Sequence, residues 1–225
     1  MAEIIVALDA PPEQSRRLLD RLPDVRWVKV GPILYTREGP ALIRDLVGRG
    51  IRVFLDLKWH DIPNTVAGAV EAAAEYGVAM ATVHTIGGSG MMRAAASAAG
   101  GNLAVVGVTV LTSFDQESLA VTTGRPDVVI LQEVTRLARM AMDAGLQGIV
   151  CSPLEIESAR EALGTGSFVV VPGIRRPSDP AGDQSRTAAP AEAVRRGATH
   201  LVVGRPIINA ADPAAAFREM MEAAR

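Results

Sequence analysis

Residues 51–61 read IRVFLDLKWHD and carry the features that decide the fold of this chain. The first five are mostly apolar and predict a buried strand, in which alternate side chains share one face. Asp56 and Lys58 therefore point to the same face, and Asp61 follows just beyond the strand. Charged side chains so close to a core are costly unless they are paired. The pattern indicates that this strand end belongs to a functional site.

The rest of the chain alternates short β-branched runs with longer helical patterns. We predict strands at residues 4–8, 27–30, 53–58, 80–84, 103–109, 148–151, 168–171 and 201–203. We predict helices between them at residues 12–22, 33–48, 62–76, 89–99, 128–144, 154–163, 190–196 and 207–224. Eight strand–helix units predict an α/β fold, a (β/α)8 TIM barrel that forms a single domain over residues 1–225. A doubly wound open sheet is the alternative, but it usually has fewer strands and a glycine-rich first turn, unlike the Asp9-Ala10-Pro11-Pro12 turn here.

Composition excludes several function classes. The 225 residues carry a net charge of −2 and no basic stripe, so we expect neither nucleic acid nor an anionic membrane as a partner. No apolar run reaches the roughly 18 residues that a membrane span needs, and the N-terminus shows no signal-peptide pattern. The single cysteine, Cys151, suits a reducing compartment. We therefore expect a cytoplasmic protein.

Polar residues recur where the predicted strands end or in the loops that follow. They are Asp9, Lys29, Asp56, Lys58, His84, Thr109, Thr112, Arg175, Gly204 and Arg205. A barrel would bring all of these residues to one mouth, which is where barrel enzymes carry their active sites. Barrel interiors otherwise favour branched apolar side chains, so this many charges at one end indicates chemistry.

Structural roles remain open for several of these residues. Asp61 is also a candidate N-cap, since Pro63 follows near a predicted helix start. Asp9 is a candidate helix cap or turn residue. The two lysines are alternatively a structural charge network with Asp56. We interpret His84 as a packing residue and leave it out of the catalytic set.

The last predicted strand offers a phosphate site. Gly204 and Arg205 follow it directly and precede a helix start, where backbone N–H groups and a guanidinium favour an anion. The loops after strands seven and eight commonly bind phosphate in barrel enzymes. The long loop at about residues 172–190 is rich in Gly, Pro, Asp, Ser and Arg, which predicts an active-site lid, with a disordered surface loop as the alternative.

These motifs together resemble the orotidine 5′-phosphate decarboxylase family over essentially the whole chain. The resemblance rests on Leu8-Asp9, Lys29-Val30-Gly31, residues 56–65 (DLKWHDIPNT), Val83-His84 with Gly87-Gly88, Leu111-Thr112-Ser113, Pro172-Gly173-Ile174-Arg175, residues 182–186 (GDQSR) and Val203-Gly204-Arg205-Pro206. It implies conversion of orotidine monophosphate to uridine monophosphate and carbon dioxide in pyrimidine synthesis. It also implies no metal, no cofactor, and a homodimer with shared active sites.

The resemblance further implies a role for each matching residue. Lys58 would be the proton donor, Asp56 would lie beside the substrate carboxylate, and Lys29 and Asp61 would complete an alternating charged array. Other residues would bind substrate: Asp9 and Lys29 at the ribose, Thr112 at the pyrimidine, Ile62 and Thr65 together with Asp61 from the partner subunit, and Pro172, Arg175, Gln184, Gly204 and Arg205 around the phosphate.

Two other functions are compatible with parts of the pattern. A magnesium-dependent sugar-phosphate decarboxylase or aldolase of the same barrel superfamily carries its own Asp-x-Lys-x-x-Asp motif, but typically has a glutamate where this chain has Lys29. A catalytically silent phosphate-binding barrel would be expected to lack Lys58 or Asp56, and this chain retains both.

Overall fold

The computed structural model describes residues 2–176, 179 and 186–225. Its sheet is a closed barrel in the order β1 to β8. The strands are β1 Glu3–Ala7, β2 Trp27–Val30, β3 Arg52–Trp59, β4 Met80–His84, β5 Ala104–Val108, β6 Gly148–Val150, β7 Phe168–Val171 and β8 His200–Val203. Neighbouring strands pair in parallel, and β8 closes on β1 with Val202 opposite Ile5. The predicted single-domain (β/α)8 barrel is confirmed.

The helices surround the barrel in chain order. They are α1 Pro12–Asp20, α2 Pro32–Gly48, α3 Pro63–Glu75, α4 Gly88–Ala98, α5 Gln116–Thr123, α6 Ile130–Asp143, α7 Ile156–Ala162, α8 Pro190–Arg195, α9 Arg205–Ile208 and α10 Pro213–Ala223. Proline is the first residue of α1, α2, α3, α8 and α10, where its missing N–H leaves no hydrogen bond unmade. These prolines set where each helix begins after its strand.

Two helical segments differ from the prediction. No helix is predicted at residues 116–123, yet α5 forms there. It begins with a capping box between Asp115 and Ser118 and ends at Gly124, whose φ is 66°. The predicted helix at 207–224 is instead two helices. Asp212 is the N-cap of α10 and accepts hydrogen bonds from the N–H groups of Ala214 and Ala215, so a second helix begins at Pro213.

Two apolar cores hold the barrel together. The larger core lies between the strands and the helices, and includes Val28, Leu55 and Val83. The smaller core fills the barrel interior with Ile5, Ala7, Trp27, Phe54, Met80, Val106, Val170 and Val202. Along β2, β3 and β4 alternate residues divide between the two cores, as expected for strands buried on both faces. No helix in the described part of the chain is long and apolar enough to span a membrane.

Candidate active site

A polar layer lies directly above the apolar filling of the barrel. Lys29 follows Trp27 by two residues on β2, and Asp56 follows Phe54 by two residues on β3. Because alternate side chains in a strand share a face, both charged residues also point into the barrel, one layer closer to the carboxyl ends of the strands. The apolar layer thus forms the floor on which the charged side chains are held.

The charged side chains form an alternating array within one chain. Nζ of Lys29 lies 2.8 Å from Oδ1 of Asp9 and 3.6 Å from Oδ2 of Asp56. Nζ of Lys58 lies 2.9 Å from Oδ1 of Asp56. Asp56 is therefore held between two ammonium groups. Its side chain is 13% exposed, whereas that of Lys58 is 36% exposed, so the Lys58 ammonium remains open to a ligand.

Asp56 stays ionised in spite of its burial. Burial on its own raises the pKa of this carboxyl. The charges of Lys29 and Lys58, together with hydrogen bonds from Lys58 and Thr82, outweigh burial and leave the pKa below its ordinary value. Removing either lysine would leave a buried charge poorly compensated, which makes the array a single electrostatic unit.

A cavity of about 570 Å³ opens at the carboxyl ends of the strands, above this array. Its volume is typical of a site for a small molecule. The predicted site residues that line it are Asp9, Lys29, Asp56, Lys58, Thr112, Pro172, Arg175, Gly204 and Arg205. These residues come from strands and loops spread along the whole chain, as the barrel interpretation predicted.

The other predicted site residues lie elsewhere. Asp61, Ile62 and Thr65 are exposed and do not contribute to the cavity wall of their own chain. Asp61 does not cap α3, because the N-cap of that helix is Ile62. Oδ1 of Asp61 instead accepts a hydrogen bond of 2.6 Å from the Ile62 N–H. Gln184 falls outside the described residues.

Sequence reasoning missed three polar residues near the site. Gln14 and Asn209 line the cavity. Gln14 lies in the first turn of α1, the helix after β1, and Asn209 directly follows α9, the short helix after β8. Their position shortly after a strand end was the signal that could have identified them. Thr82 is fully buried and donates a hydrogen bond of 3.1 Å to Oδ1 of Asp56.

His84 lies close to the array but does not line the cavity. Burial, then the nearby His60 and Lys58, lower its pKa to about 4, so the ring is neutral at pH 7. The two histidine rings lie 5.7 Å apart between centroids. His84 packs against another ring, as predicted, but its buried Nδ1 has no hydrogen-bond partner in the described structure.

Three further lining residues follow β7 and β8, namely Arg175, Gly204 and Arg205. Arg175 is buried, and its Nη1 donates a hydrogen bond of 2.8 Å to the Ile174 carbonyl. Arg205 is exposed and begins α9, with Gly204 as the N-cap. The loop after β7 and the start of α9 after β8 therefore each contribute an arginine to the wall of the cavity that Asp56 and Lys58 also line.

Comparison with known proteins identifies the family. The chain matches the model of the orotidine 5′-phosphate decarboxylase / HUMPS family over residues 2–220. An orotidine 5′-phosphate decarboxylase from Opitutus terrae is 50% identical over 224 residues, covering 97% of this chain and 96% of that protein. One from Anaeromyxobacter dehalogenans is 49% identical over 219 residues, covering 96% and 95%. The crystal structure of orotidine 5′-phosphate decarboxylase from Lactobacillus acidophilus matches all of both chains, with a TM-score of 0.89 and 36% identity. This chain therefore belongs to the orotidine 5′-phosphate decarboxylase / HUMPS family.

Proposed function

We propose that this chain decarboxylates orotidine 5′-monophosphate to uridine 5′-monophosphate and carbon dioxide, the last step of de novo UMP synthesis, without a metal ion or organic cofactor. The observation that carries the proposal is the Asp56 carboxylate held between Lys29 and Lys58 at the floor of the cavity. Relatives that are about half identical over nearly the whole chain bear the same enzyme name, which supports this reaction.

Lys58 is the proposed proton donor. When the bond between the pyrimidine ring and its carboxylate breaks, carbon dioxide leaves and the electron pair stays on the ring carbon. An ammonium beside that carbon stabilises the developing negative charge and then gives up one N–H proton to form the new C–H bond. Lys58 has the exposure needed to reach a ligand, and its ion pair with Asp56 keeps its Nζ at the cavity floor.

Asp56 contributes in two ways in this proposal. It holds the Lys58 ammonium by a hydrogen bond of 2.9 Å. It also repels the substrate carboxylate, by roughly 4 kcal/mol for charges about 4 Å apart at an effective dielectric constant of 20. That repulsion disappears as neutral carbon dioxide departs, so it favours the transition state over the bound substrate.

The remaining cavity residues orient the nucleotide. Arg175, Gly204 and Arg205 bind the phosphate, with Pro172 completing that end of the wall, and Thr112 binds the pyrimidine. Asp9 and Lys29, joined at 2.8 Å, bind the ribose between these two ends. Binding energy from the distant phosphate then fixes the reacting carbon against Lys58.

The loop at 172–190 is proposed as a lid over the phosphate. Its two ends are paired, because Arg175 N–H donates to the Ala188 carbonyl at 3.0 Å and Ala188 N–H donates to the Gly173 carbonyl at 3.3 Å. A loop that leaves and rejoins the barrel at one point beside the phosphate end is suited to closing over a ligand. The predicted phosphate contact of Gln184 remains part of this proposal.

The proposal includes a homodimer with shared active sites, which the position of Asp61 supports. This residue is exposed and absent from the cavity wall of its own chain, together with Ile62 and Thr65. The Ile62 side chain is 67% exposed, which leaves apolar surface beside a charged residue at the rim of the barrel. A two-fold dimer would cover Ile62 and carry Asp61 and Thr65 into the partner's cavity.

The metal-dependent relatives are the second candidate, since the matching family is wider than one enzyme. The donor set of this cavity does not suit magnesium. The carboxylate of Asp56 is engaged on one oxygen by Lys58 and faces Lys29 with the other. A cation at this carboxylate would meet two ammonium groups. Within residues 2–176, 179 and 186–225, no group of three or more His, Cys, Asp and Glu residues could hold a metal ion.

The test is a direct assay. Purified protein is mixed with orotidine monophosphate and excess chelator, and the loss of substrate absorbance is followed. We expect full activity under chelation. Activity that chelator abolishes and magnesium restores would assign the chain to the metal-dependent relatives.

A further inference from the structure

The strand that carries Asp56 and Lys58 is irregular next to β4. Leu55 pairs with Ala81 and Trp59 pairs with Val83, and the register shifts between these pairs. Residues 56–58 of β3 therefore lie opposite a single residue of β4, Thr82. A bulge of this kind leaves backbone groups without their usual ladder partners. Thr82 is the one residue of β4 at the level of the bulge.

Lys58 has an unusual backbone at this bulge. Its φ is 51°, and no other non-glycine residue in the described part of the chain has a positive φ. The left-handed region is unfavourable for a residue with a Cβ, so the surroundings must hold Lys58 there. The conformation turns the chain at the point where Lys58 extends into the cavity.

The Thr82 hydroxyl bonds both charged residues at once. It accepts a hydrogen bond of 2.8 Å from the Lys58 backbone N–H and donates one of 3.1 Å to Oδ1 of Asp56. A hydroxyl has a single proton, so accepting from Lys58 leaves that proton directed at Asp56. Thr82 is fully buried, and water does not replace either bond.

We infer that Thr82 is a positioning residue, whose hydroxyl holds the Lys58 backbone and the Asp56 carboxylate in register so that the Lys58 ammonium meets the reacting carbon. This inference rests on the proposed function, since it assigns Lys58 and Asp56 to the chemistry. It adds a residue that is absent from the lining of the cavity. Thr82 acts through the backbone of the proton donor and through the carboxylate paired with it.

Valine and serine substitutions separate the hydroxyl from the shape of the side chain. Thr82→Val keeps the volume and removes both hydrogen bonds, whereas Thr82→Ser keeps the hydroxyl and removes a buried methyl. The matched control is Thr85→Val, because Thr85 is also fully buried but its hydroxyl bonds only the Val108 carbonyl in the described structure, at 2.8 Å. Each variant is assayed for kcat and KM on orotidine monophosphate and for thermal unfolding. The affinity for uridine monophosphate is measured by calorimetry.

We expect Thr82→Val to lower kcat by roughly 10- to 100-fold, as misplacement of a reacting group does, with the affinity for uridine monophosphate within about threefold of wild type. Thr82→Ser should recover most of the turnover even if its Tm falls further, and Thr85→Val should keep wild-type kcat. The inference is overturned if Thr82→Val keeps kcat within about twofold, or if serine fails as valine does. Should Thr82→Val not fold, Thr82→Ala takes its place in the same comparison with Thr82→Ser.

A crystal structure of the hydroxyl-free variant separates this inference from the proposed function. We expect the 2.9 Å contact between Lys58 Nζ and Asp56 Oδ1 to lengthen or break in it. Unchanged Lys58 and Asp56 in that structure would contradict the positioning role. A wild-type protein that fails to decarboxylate orotidine monophosphate would refute the proposed function alone, since the geometric comparison would still decide the role of Thr82.

Discussion

Nζ of Lys58 lies 2.9 Å from Oδ1 of Asp56, and only Leu57 separates the two residues along β3. The pair forms where β3 departs from regular geometry, with Lys58 at φ 51°. Leu57 packs on the opposite side, against the core between barrel and helices. The local irregularity thus coincides with the two residues to which the proposed chemistry is assigned.

The strain at Lys58 predicts an order of stabilities. A residue with a Cβ in the left-handed region costs about 1–2 kcal/mol, whereas glycine adopts it freely. Lys58→Gly and Lys58→Ala both remove the ammonium, so they differ mainly in this backbone effect. We expect Lys58→Gly to have the larger unfolding free energy, by about 1 kcal/mol, in chemical denaturation. Equal stabilities would indicate that β3 relaxes to a regular strand once the lysine is removed.

Gly31 lies against the ion pair between Lys29 and Asp9. A Cβ on Gly31 would lie 3.1 Å from Nζ of Lys29 and 3.2 Å from Oδ1 of Asp9. Its φ of −94° is open to alanine, so the effect of a substitution is one of space. We expect Gly31→Ala to lower kcat/KM for orotidine monophosphate by about tenfold, with little change in stability.

The control for Gly31→Ala is Gly48→Ala. Gly31 is the N-cap of α2, and Gly48 is the last residue of that helix. A Cβ there would meet nothing within 4 Å. We expect this variant to retain wild-type kcat/KM. If Gly31→Ala also retained it, the contact between Lys29 and Asp9 would have no part in binding the substrate.

His200 predicts how stability depends on pH. It is 6% exposed and packs edge-on against Trp27 and Phe168, with ring centroids 5.5 and 4.9 Å away. Burial, and secondarily the charge of Arg52, lower its pKa from 6.5 to about 4. The unfolded chain therefore binds this proton more readily than the folded chain. The contribution of neutral His200 to the unfolding free energy is fully present above pH 6.5 and is lost as the pH falls towards 4.

His200→Gln removes this titration. Between about pH 4 and 6.5, the wild-type unfolding free energy should fall with pH more steeply than that of the variant, by up to roughly 1.4 kcal/mol per pH unit. Denaturant titrations at a series of pH values measure both slopes. Parallel curves for the two proteins would show that protonation of His200 does not oppose folding.

Mixed dimers test the proposed homodimer and its shared active sites. Lys58→Ala and Asp61→Ala homodimers should each be nearly inactive. In a mixed dimer, one site lacks both residues and the other has both, so activity should return to about half of wild type per dimer. As a control, exchange of Lys58→Ala with a Lys58→Ala/Asp61→Ala double variant builds no intact site and should give no recovery. Absence of recovery in the first mixture, after verified subunit exchange, would mean that each chain completes its own site.

The sequence was sufficient to predict the barrel because the patterns that indicate its strands are local. The β-branched runs at Trp27–Val30, Met80–His84 and Phe168–Val171 predicted strands with the observed bounds. The position of a polar residue at a strand end then predicted the cavity wall, since parallel strands in a barrel bring their carboxyl ends together. Lys29 and Asp56 meet for this reason, although 26 residues separate them.

Features that depend on how one strand or helix meets another could not be predicted from the sequence in this way. Thr82 bonds Lys58 and Asp56 because β3 bulges against β4, and neither strand shows that bulge in its own pattern. Helix α5 was missed because Leu119 is its one buried residue, which gives almost no helical periodicity, although the capping box and Gly124 were readable signals. The position of Asp61 outside its own cavity depends on the course of the chain after Trp59, which no local pattern predicts.

The most direct test of the account compares wild type with Lys58→Ala. Turnover of orotidine monophosphate is measured for both under excess chelator, and binding of uridine monophosphate is measured alongside. We expect metal-free turnover by wild type, a loss of at least about 10³-fold in Lys58→Ala, and retained nucleotide binding by the folded variant. A Lys58→Ala protein that keeps more than a few per cent of wild-type turnover would contradict the account, because another group would then have to donate the proton.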